Sequence, residues 1–292
     1  MTGKTPYILE IKELKKEFSG FSLKNIGFSM EKGCIMGFIG PNGAGKTTTI
    51  KLIMNLLKKD GGEIKVFGLD NVKHEKEIKN RIGFVYDENC FYEELSLDEM
   101  KRVIAPYYKD WDEGAFEEYL RRFSLPRNKK IKELSRGMKM KYALAIALSH
   151  KAELLIMDEP TSGLDPLVRS ELLEVLADVV QDEDKGVFFS THITSDLEKI
   201  ADYITFINNG SIVFSGAKDE ILDNYGMVKG PTELLDAYTR KHFIGVKESS
   251  FGFEGLVSDK RNARKVFGDK VIIEKPTLDD IMVYISRRES NG

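Results

Sequence analysis

The stretch "CIMGFIGPNGAGKTTTIKLIMNLL", residues 34–57, constrains the fold of this chain more than any other. An apolar run up to Ile39 reads as a buried strand. Ile50, Ile53, Met54 and Leu57 then recur at helical spacing. Between them, Gly40, Pro41, Asn42, Gly43, Ala44, Gly45, Lys46 and Thr47 fit the pattern G-x-x-x-x-G-K-[ST], with Thr48 following. Glycines let consecutive backbone N–H groups close around phosphate oxygens, and the helix N-terminus behind them adds partial positive charge. The spacing lets Lys46 reach the β- and γ-phosphates of a bound nucleotide and Thr47 ligate Mg²⁺. A glycine turn that only caps a helix is the plainer alternative. The strand before the loop and the helix after it speak against that.

A second cluster supplies carboxylates. "ELLIMDEP", residues 153–160, is a short apolar run of the buried parallel-strand kind, with two acids at its C-terminal end, where ligands sit in open α/β sheets. Asp158 is expected to hold Mg²⁺, directly or through water, and Glu159 to orient and deprotonate the attacking water. Another buried run, "GVFFSTH", ends on His192, which can project toward the same phosphate. Alone, each has a structural explanation: an acidic loop, a core histidine. Beside Lys46 they make a hydrolytic set.

The rest of the chain frames these motifs. "YILEIKELKKEF" and "FSLKNIGFSM" alternate as strands, and "GGEIKVFG" at 61–68 reads as an edge strand. Residues 91–134 are charged, aromatic-rich and helical. Ser96 and Glu99 make a capping box for a helix to about Tyr108, and a second helix is expected from Asp112 to Phe123. "LSRGMKMKYALAIALS", residues 134–149, is a buried helix behind Tyr142, Ala145 and Ile146, yet it opens on Ser135-Arg136-Gly137. Asp165 is the expected N-cap of the next helix, with Pro166 at its first position. Asn209-Gly210 predicts a hairpin within "YITFINNGSIVFSG". Beyond 216 no chemical motif occurs; strands in "FIGVKE" and "KVIIEK" and a closing helix from Leu278 suggest a small separate domain, 217–292.

Bulk properties exclude more than they select. The 292 residues, 41% apolar, suffice for one large domain and a smaller one. A net charge of −3, from 44 Lys+Arg against 47 Asp+Glu, gives no reason to expect nucleic acid. Cys34 and Cys90 are far apart and suggest neither a disulfide framework nor a metal. Met1–Pro6 is polar, so no secretory leader is expected, and no apolar run reaches the roughly 18 residues of a spanning helix. The chain is expected to be soluble, which leaves docking on a membrane protein open.

The order Gly40–Thr47, Leu134–Met138, Asp158–Glu159, "SGLD" at 162–165 and His192 resembles the nucleotide-binding subunit of ABC transporters over about residues 7–216. In overall style it looks most like bacterial drug or peptide exporter subunits. The resemblance implies an α/β phosphate-loop ATPase core (1–216) with an antiparallel β subdomain and a helical subdomain at about 88–150, followed by the small α+β extension. It implies ATP and Mg²⁺, hydrolysis coupled to transport, and a dimer with a second copy or a paralogous subunit. It also implies an integral membrane permease as partner and a place in the cytoplasm on the inner face of the membrane. A ribosome- or DNA-associated ABC ATPase is the rival.

Residue by residue, the resemblance makes Lys46, Glu159 and His192 catalytic and Gly40–Thr48 nucleotide-binding. Phe18 would stack on adenine, Thr47, Asp158 and Asp87 would bind the metal (Asp87 through a carboxylate oxygen), and Ser135 and Gly137 would serve the ATP of the opposite subunit. The loop near Asp87 would sense the γ-phosphate, and Ser162–Asp165 would link two subunits. Four positions depart from the family pattern: Phe18 keeps a stacking face but lacks the usual tyrosine hydroxyl, and three others differ. Arg136 stands where a glycine is usual and Met138 where a glutamine is. Asp87 or Glu88 replaces the usual glutamine after "IGFVY". Arg136 would either add a cation near the phosphate or face solvent. The aromatic pair Phe91-Tyr92 would either meet the membrane subunit or pack under the helical insertion.

Overall fold

A computed structural model of the chain describes residues 7–86 and 90–290. It divides into two compact units. The first comprises residues up to Ile193 together with Tyr203–Ser215, and the second Thr194–Asp202 together with residues from Gly216 onward.

The first unit runs through β1 (Tyr7–Phe18), β2 (Phe21–Glu31), β3 (Ile35–Ile39), α1 (Lys46–Ile53), β4 (Gly61–Val66), β5 (Leu69–Asp70), α2 (Glu75–Arg81) and β6 (Ile82–Val85). It continues with α3 (Leu97–Ile104), α4 (Glu113–Arg122), α5 (Arg136–Leu148), β7 (Leu154–Asp158), α6 (Pro166–Val179), β8 (Gly186–Thr191), β9 (Tyr203–Asn208) and β10 (Ser211–Ala217), the last two residues of which fall to the second unit. Its main sheet has the order β10-β9-β3-β8-β7-β6, and the β9-β3-β8-β7-β6 pairs are all parallel. Every residue of β3, β7 and β8 is buried. A parallel strand covered on both faces needs apolar residues on both, which is why these runs lack alternation. The register Ile39↔Thr191 and Asp158↔Ser190 brings the C-terminal ends of β3, β7 and β8 to one edge. Residues more than 100 positions apart in the chain thereby share a site.

The second sheet, β2-β1-β4-β5, is antiparallel. Phe28, Phe38 and Phe188 help fill the core shared by the two sheets, with ring centroids 5.5–5.8 Å apart and Phe28 stacked on Phe188. The expectation that residues 61–68 form an edge strand is corrected here: β4 pairs with β1 on one side and β5 on the other. Phe67 (φ 56°) and Gly68 (φ 77°) make a two-residue left-handed turn that folds Leu69–Asp70 back onto β4. Phe is an unusual first residue for such a turn, so the sequence hid it.

The helical segment follows its capping signals. Ser96 Oγ accepts from the Glu99 N–H (3.3 Å), and Glu99 accepts from the Ser96 N–H (2.8 Å), closing the capping box on α3. Asp112 caps α4, and Asp165 caps α6 through the Leu167 and Val168 N–H groups. On α5 the buried Tyr142 donates to the Leu97 carbonyl (2.8 Å), tying α5 to the start of α3. Phe91 packs edge-on against Tyr142, while Tyr92 beside it is 67% exposed.

The second unit contains α7 (Thr194–Ile200), α8 (Lys218–Asn224), β11 (Gly226–Gly230), β12 (Phe243–Ser249), β13 (Gly252–Val257), α9 (Lys260–Phe267), β14 (Ile272–Glu274) and α10 (Leu278–Ser290). Its antiparallel sheet, β12-β13-β11-β14, carries a core of Val228, Phe243, Phe253, Val257, Ala263 and Phe267. The expected strands at "FIGVKE" and "KVIIEK" and the helix from Leu278 are present. The unit also takes in Thr194–Asp202, which the sequence reading left with the first. Among the described residues no helix is long and apolar enough to cross a membrane.

Candidate functional site

The site is built where β3 turns into α1. Gly40 is buried, and a Cβ there would lie 2.3 Å from the Ile207 carbonyl oxygen, so no larger residue fits without moving the backbone. Gly45 caps α1 with φ 112°, a positive value that residues with a side chain rarely adopt. α1 then begins at Lys46 itself.

Lys46 is only 6% exposed. Its ammonium donates to the carbonyls of Gly40 (2.8 Å) and Pro41 (3.3 Å) and lies 3.2 Å from Glu159 Oε1. The other Glu159 oxygen, Oε2, is 2.7 Å from His192 Nδ1 and also accepts from the His192 N–H (3.3 Å). Glu159 therefore bridges the lysine of the loop and the histidine beyond β8. Its backbone is left-handed, with φ 49°. These side chains, with Asn42, Gly43, Gly45, Thr47, Thr48, Phe21 and Ser162, line a cavity of about 680 Å³.

Asp158 stands behind that wall. It is 2% exposed, and its Oδ1 accepts from Ser190 Oγ at 2.5 Å. Phe18 is 44% exposed and stacks beside Phe21 with centroids 6.5 Å apart, and the Lys16 ammonium lies 5.4 Å from its ring centroid. The ring that lines the cavity is that of Phe21. Phe18 and Phe21 pair across the β1–β2 turn, so Phe18, expected to stack on adenine, lies beside the ring that lines the cavity and not in the lining itself. Asp87 and Glu88 lie outside the described residues.

Ser135 and Gly137 are not among the cavity's lining residues. Ser135 is the N-cap of α5 and accepts from the Met138 N–H (3.2 Å). Gly137 is buried against α6, where a Cβ would stand 3.1 Å from the Val168 side chain. Arg136 is exposed, but its guanidinium lies over Gly163, where a Cβ would meet Nη1 at 2.7 Å. It is thus held against the "SGLD" loop of its own chain.

The oxygen donors suit a hard cation. Among the described residues no group of three or more His, Cys, Asp or Glu could hold a metal by itself. The Thr47 hydroxyl, the Asp158 carboxylate and nucleotide phosphate oxygens together are the kind of set that Mg²⁺ takes while keeping part of its water.

A parallel sheet with a glycine-rich loop feeding a helix, and a lysine, a glutamate and a histidine converging on that loop, defines a phosphate-loop ATPase. Comparison with known proteins narrows the class. Residues 23–162 match the family described as ABC transporter. The chain is 30% identical over 219 residues to the ABC transporter ATP-binding protein YtrB of Bacillus subtilis (strain 168), covering 75% of each protein. It is 34% identical over 209 residues to the bacitracin transport ATP-binding protein BcrA of Bacillus licheniformis, covering 70% of this chain and 68% of that one. A solved structure of an ATP binding subunit of an ABC transporter aligns at 30% identity and a TM-score of 0.66, covering 74% of this chain and 92% of that one. The chain belongs to the ABC transporter ATP-binding proteins: it binds and hydrolyses ATP to power transport.

Proposed function

We propose that the hydrolytic centre is the Lys46–Glu159–His192 cluster and that it drives export of a drug, peptide or lipid-like compound through a membrane permease. The observation that carries the proposal is Glu159 held at 3.2 Å from Lys46 and 2.7 Å from His192 on the wall of the loop cavity. Backbone N–H groups of Gly43–Thr48 and the start of α1 bind the phosphates. Lys46 stabilises the charge of the phosphoryl group in transfer. Glu159 takes the proton of the attacking water, and His192 orients both the carboxylate and the γ-phosphate. Thr47 and Asp158 would hold Mg²⁺, which supplies charge neutralisation on the phosphates when bound.

Ser135 and Gly137, which are not among the lining residues of their own chain's cavity, would serve the ATP of a second copy or a paralogous subunit. The dimer would dock a permease from the cytoplasmic face of the membrane, with the exposed Tyr92 in its contact surface. A relative named for bacitracin transport supports the class of cargo.

Glu159→Gln tests the centre. It is expected to keep ATP binding and to lose hydrolysis by roughly 10²–10⁴-fold, the range of a general base. Hydrolysis close to that of the unmodified chain removes Glu159 from that role.

A further inference from the structure

We propose that Ser190 is a positioning residue of the hydrolytic site: its hydroxyl fixes the Asp158 carboxylate and the backbone of Glu159 in the orientation that ATP hydrolysis needs. The proposal rests on the roles given above to Asp158 and Glu159 and adds a residue that acts through both.

The parallel register of β7 and β8 sets Ser190 opposite Asp158. Both are shut away from water, at 0% and 2% exposure. A buried carboxylate without hydrogen bonds is costly, so the orientation of Asp158 is decided by the donor it finds. That donor is Ser190 Oγ, 2.5 Å from Asp158 Oδ1. With Oδ1 engaged by Ser190, the plane of the Asp158 carboxylate is set by that bond. The hydroxyl works in the other direction as well. Its oxygen accepts from the Glu159 N–H at 3.2 Å, and that N–H also reaches the Ser190 carbonyl at 3.1 Å. Glu159 has φ 49°, a conformation that non-glycine residues keep only where the surroundings hold them. The paired contacts from Ser190 are such a hold.

His192 lies two residues further along the chain, beyond the end of β8, and takes the Glu159 carboxylate at 2.7 Å. The end of β8 therefore sets three things: the Asp158 carboxylate, the Glu159 backbone and the Glu159 carboxylate. The flanking residues Val187, Phe188 and Phe189 are apolar, as a buried strand requires, and Ser190 interrupts them where β7 ends in its acids. An alanine or valine at 190 would satisfy the burial of the strand and neither hydrogen bond.

The test compares Ser190→Ala, Ser190→Thr and Glu159→Gln in the full chain. It follows steady-state ATP hydrolysis against Mg²⁺ concentration, and fluorescent-ADP binding with Mg²⁺ and with a chelator. Ser190→Ala is expected to lower kcat and raise the Mg²⁺ half-saturation by roughly 10–100-fold, the range found when a partner of a metal ligand is removed. Its ADP binding in chelator should match the unmodified chain, while the gain in affinity on adding Mg²⁺ shrinks. Ser190→Thr keeps the hydroxyl and should fall nearer the unmodified chain on both readouts. If Ser190→Ala does not fold, Ser190→Cys, with a weaker donor of similar size, carries the same expectation. Unchanged Mg²⁺ dependence in Ser190→Ala, or equal losses in the alanine and threonine variants, overturns the proposal in favour of simple packing. Because Glu159→Gln is measured alongside, a normal Ser190→Ala with an inactive Glu159→Gln rejects only Ser190. Activity in both rejects the assigned centre itself.

Discussion

Gly40 shows what a single residue can decide. A Cβ at this position would sit 2.3 Å from the Ile207 carbonyl oxygen, a backbone atom on the neighbouring strand β9. Forcing atoms into a packed site costs about 1–3 kcal/mol. Here the movement falls on the loop that lines the cavity and is proposed to bind the phosphates. Gly40→Ala should therefore lower the melting temperature and weaken ATP binding together. Gly27→Ala, where the nearest atom is an ordinary 3.7 Å away, should do neither. Calorimetric unfolding and nucleotide titration of the two variants check this, and normal ATP affinity in Gly40→Ala would mean that the loop yields without consequence. The approach of Lys46, Glu159 and His192 was legible in the sequence because each ends or follows a recognisable strand. Ser190 was not. In "GVFFSTH" it reads as a small residue in an apolar run, and its meaning depends on the register with β7, which no local pattern encodes. Phe21 escaped for a similar reason: the hairpin places it beside Phe18, and alternation cannot say which ring lines the cavity.

At the scale of elements, the buried helix α5 is legible in its apolar run, but the chain just beyond it holds a feature the sequence does not announce. His150, just beyond α5, is buried and stacks on Tyr108 with centroids 3.8 Å apart. Its ring nitrogens lie 3.2 Å from the Ile146 carbonyl and 3.0 Å from the Ile82 carbonyl. Burial lowers its pKa below the ordinary histidine value, against the opposing pull of those two carbonyls. The unfolded chain thus takes up the proton first as pH falls. The associated stability is fully present above the ordinary histidine range and is lost on acidification through it. The melting temperature should drop between about pH 7 and about pH 5.5, and drop less in His150→Gln, which does not titrate there. Equal drops in the two proteins would assign the acid sensitivity to other groups. Elements that escaped the sequence reading share a physical cause. β5 has two residues and a turn of unusual composition. α9 is so rich in charge that it resembles a loop, although Ala263 and Phe267 on one side of it enter a core.

For the whole molecule the proposed division of the active site between two chains has a direct test. Within one chain the start of α5 is spent on internal packing: Gly137 against Val168, Arg136 over Gly163, Ser135 capping its own helix. None of the three lines the cavity that contains Lys46 and Glu159. If Ser135 and Gly137 serve a partner's ATP, a twofold pair holds two equivalent composite sites. Lys46→Ala damages the loop half, and Ser135→Arg obstructs the α5 half by bulk, so each homodimer should be nearly inactive. Mixed in equal amounts and allowed to exchange, about half of the dimers become heterodimers. In each of these, one site joins the intact loop of the Ser135→Arg chain to the intact α5 of the Lys46→Ala chain, while the other carries both lesions. Independent sites should restore roughly a quarter of the unmodified activity, and strongly coupled sites less. Tagging one chain verifies that heterodimers have formed. Tagged heterodimers that bind ATP yet hydrolyse no faster than their two parents would count against the divided site and return the start of α5 to a structural role within its own chain.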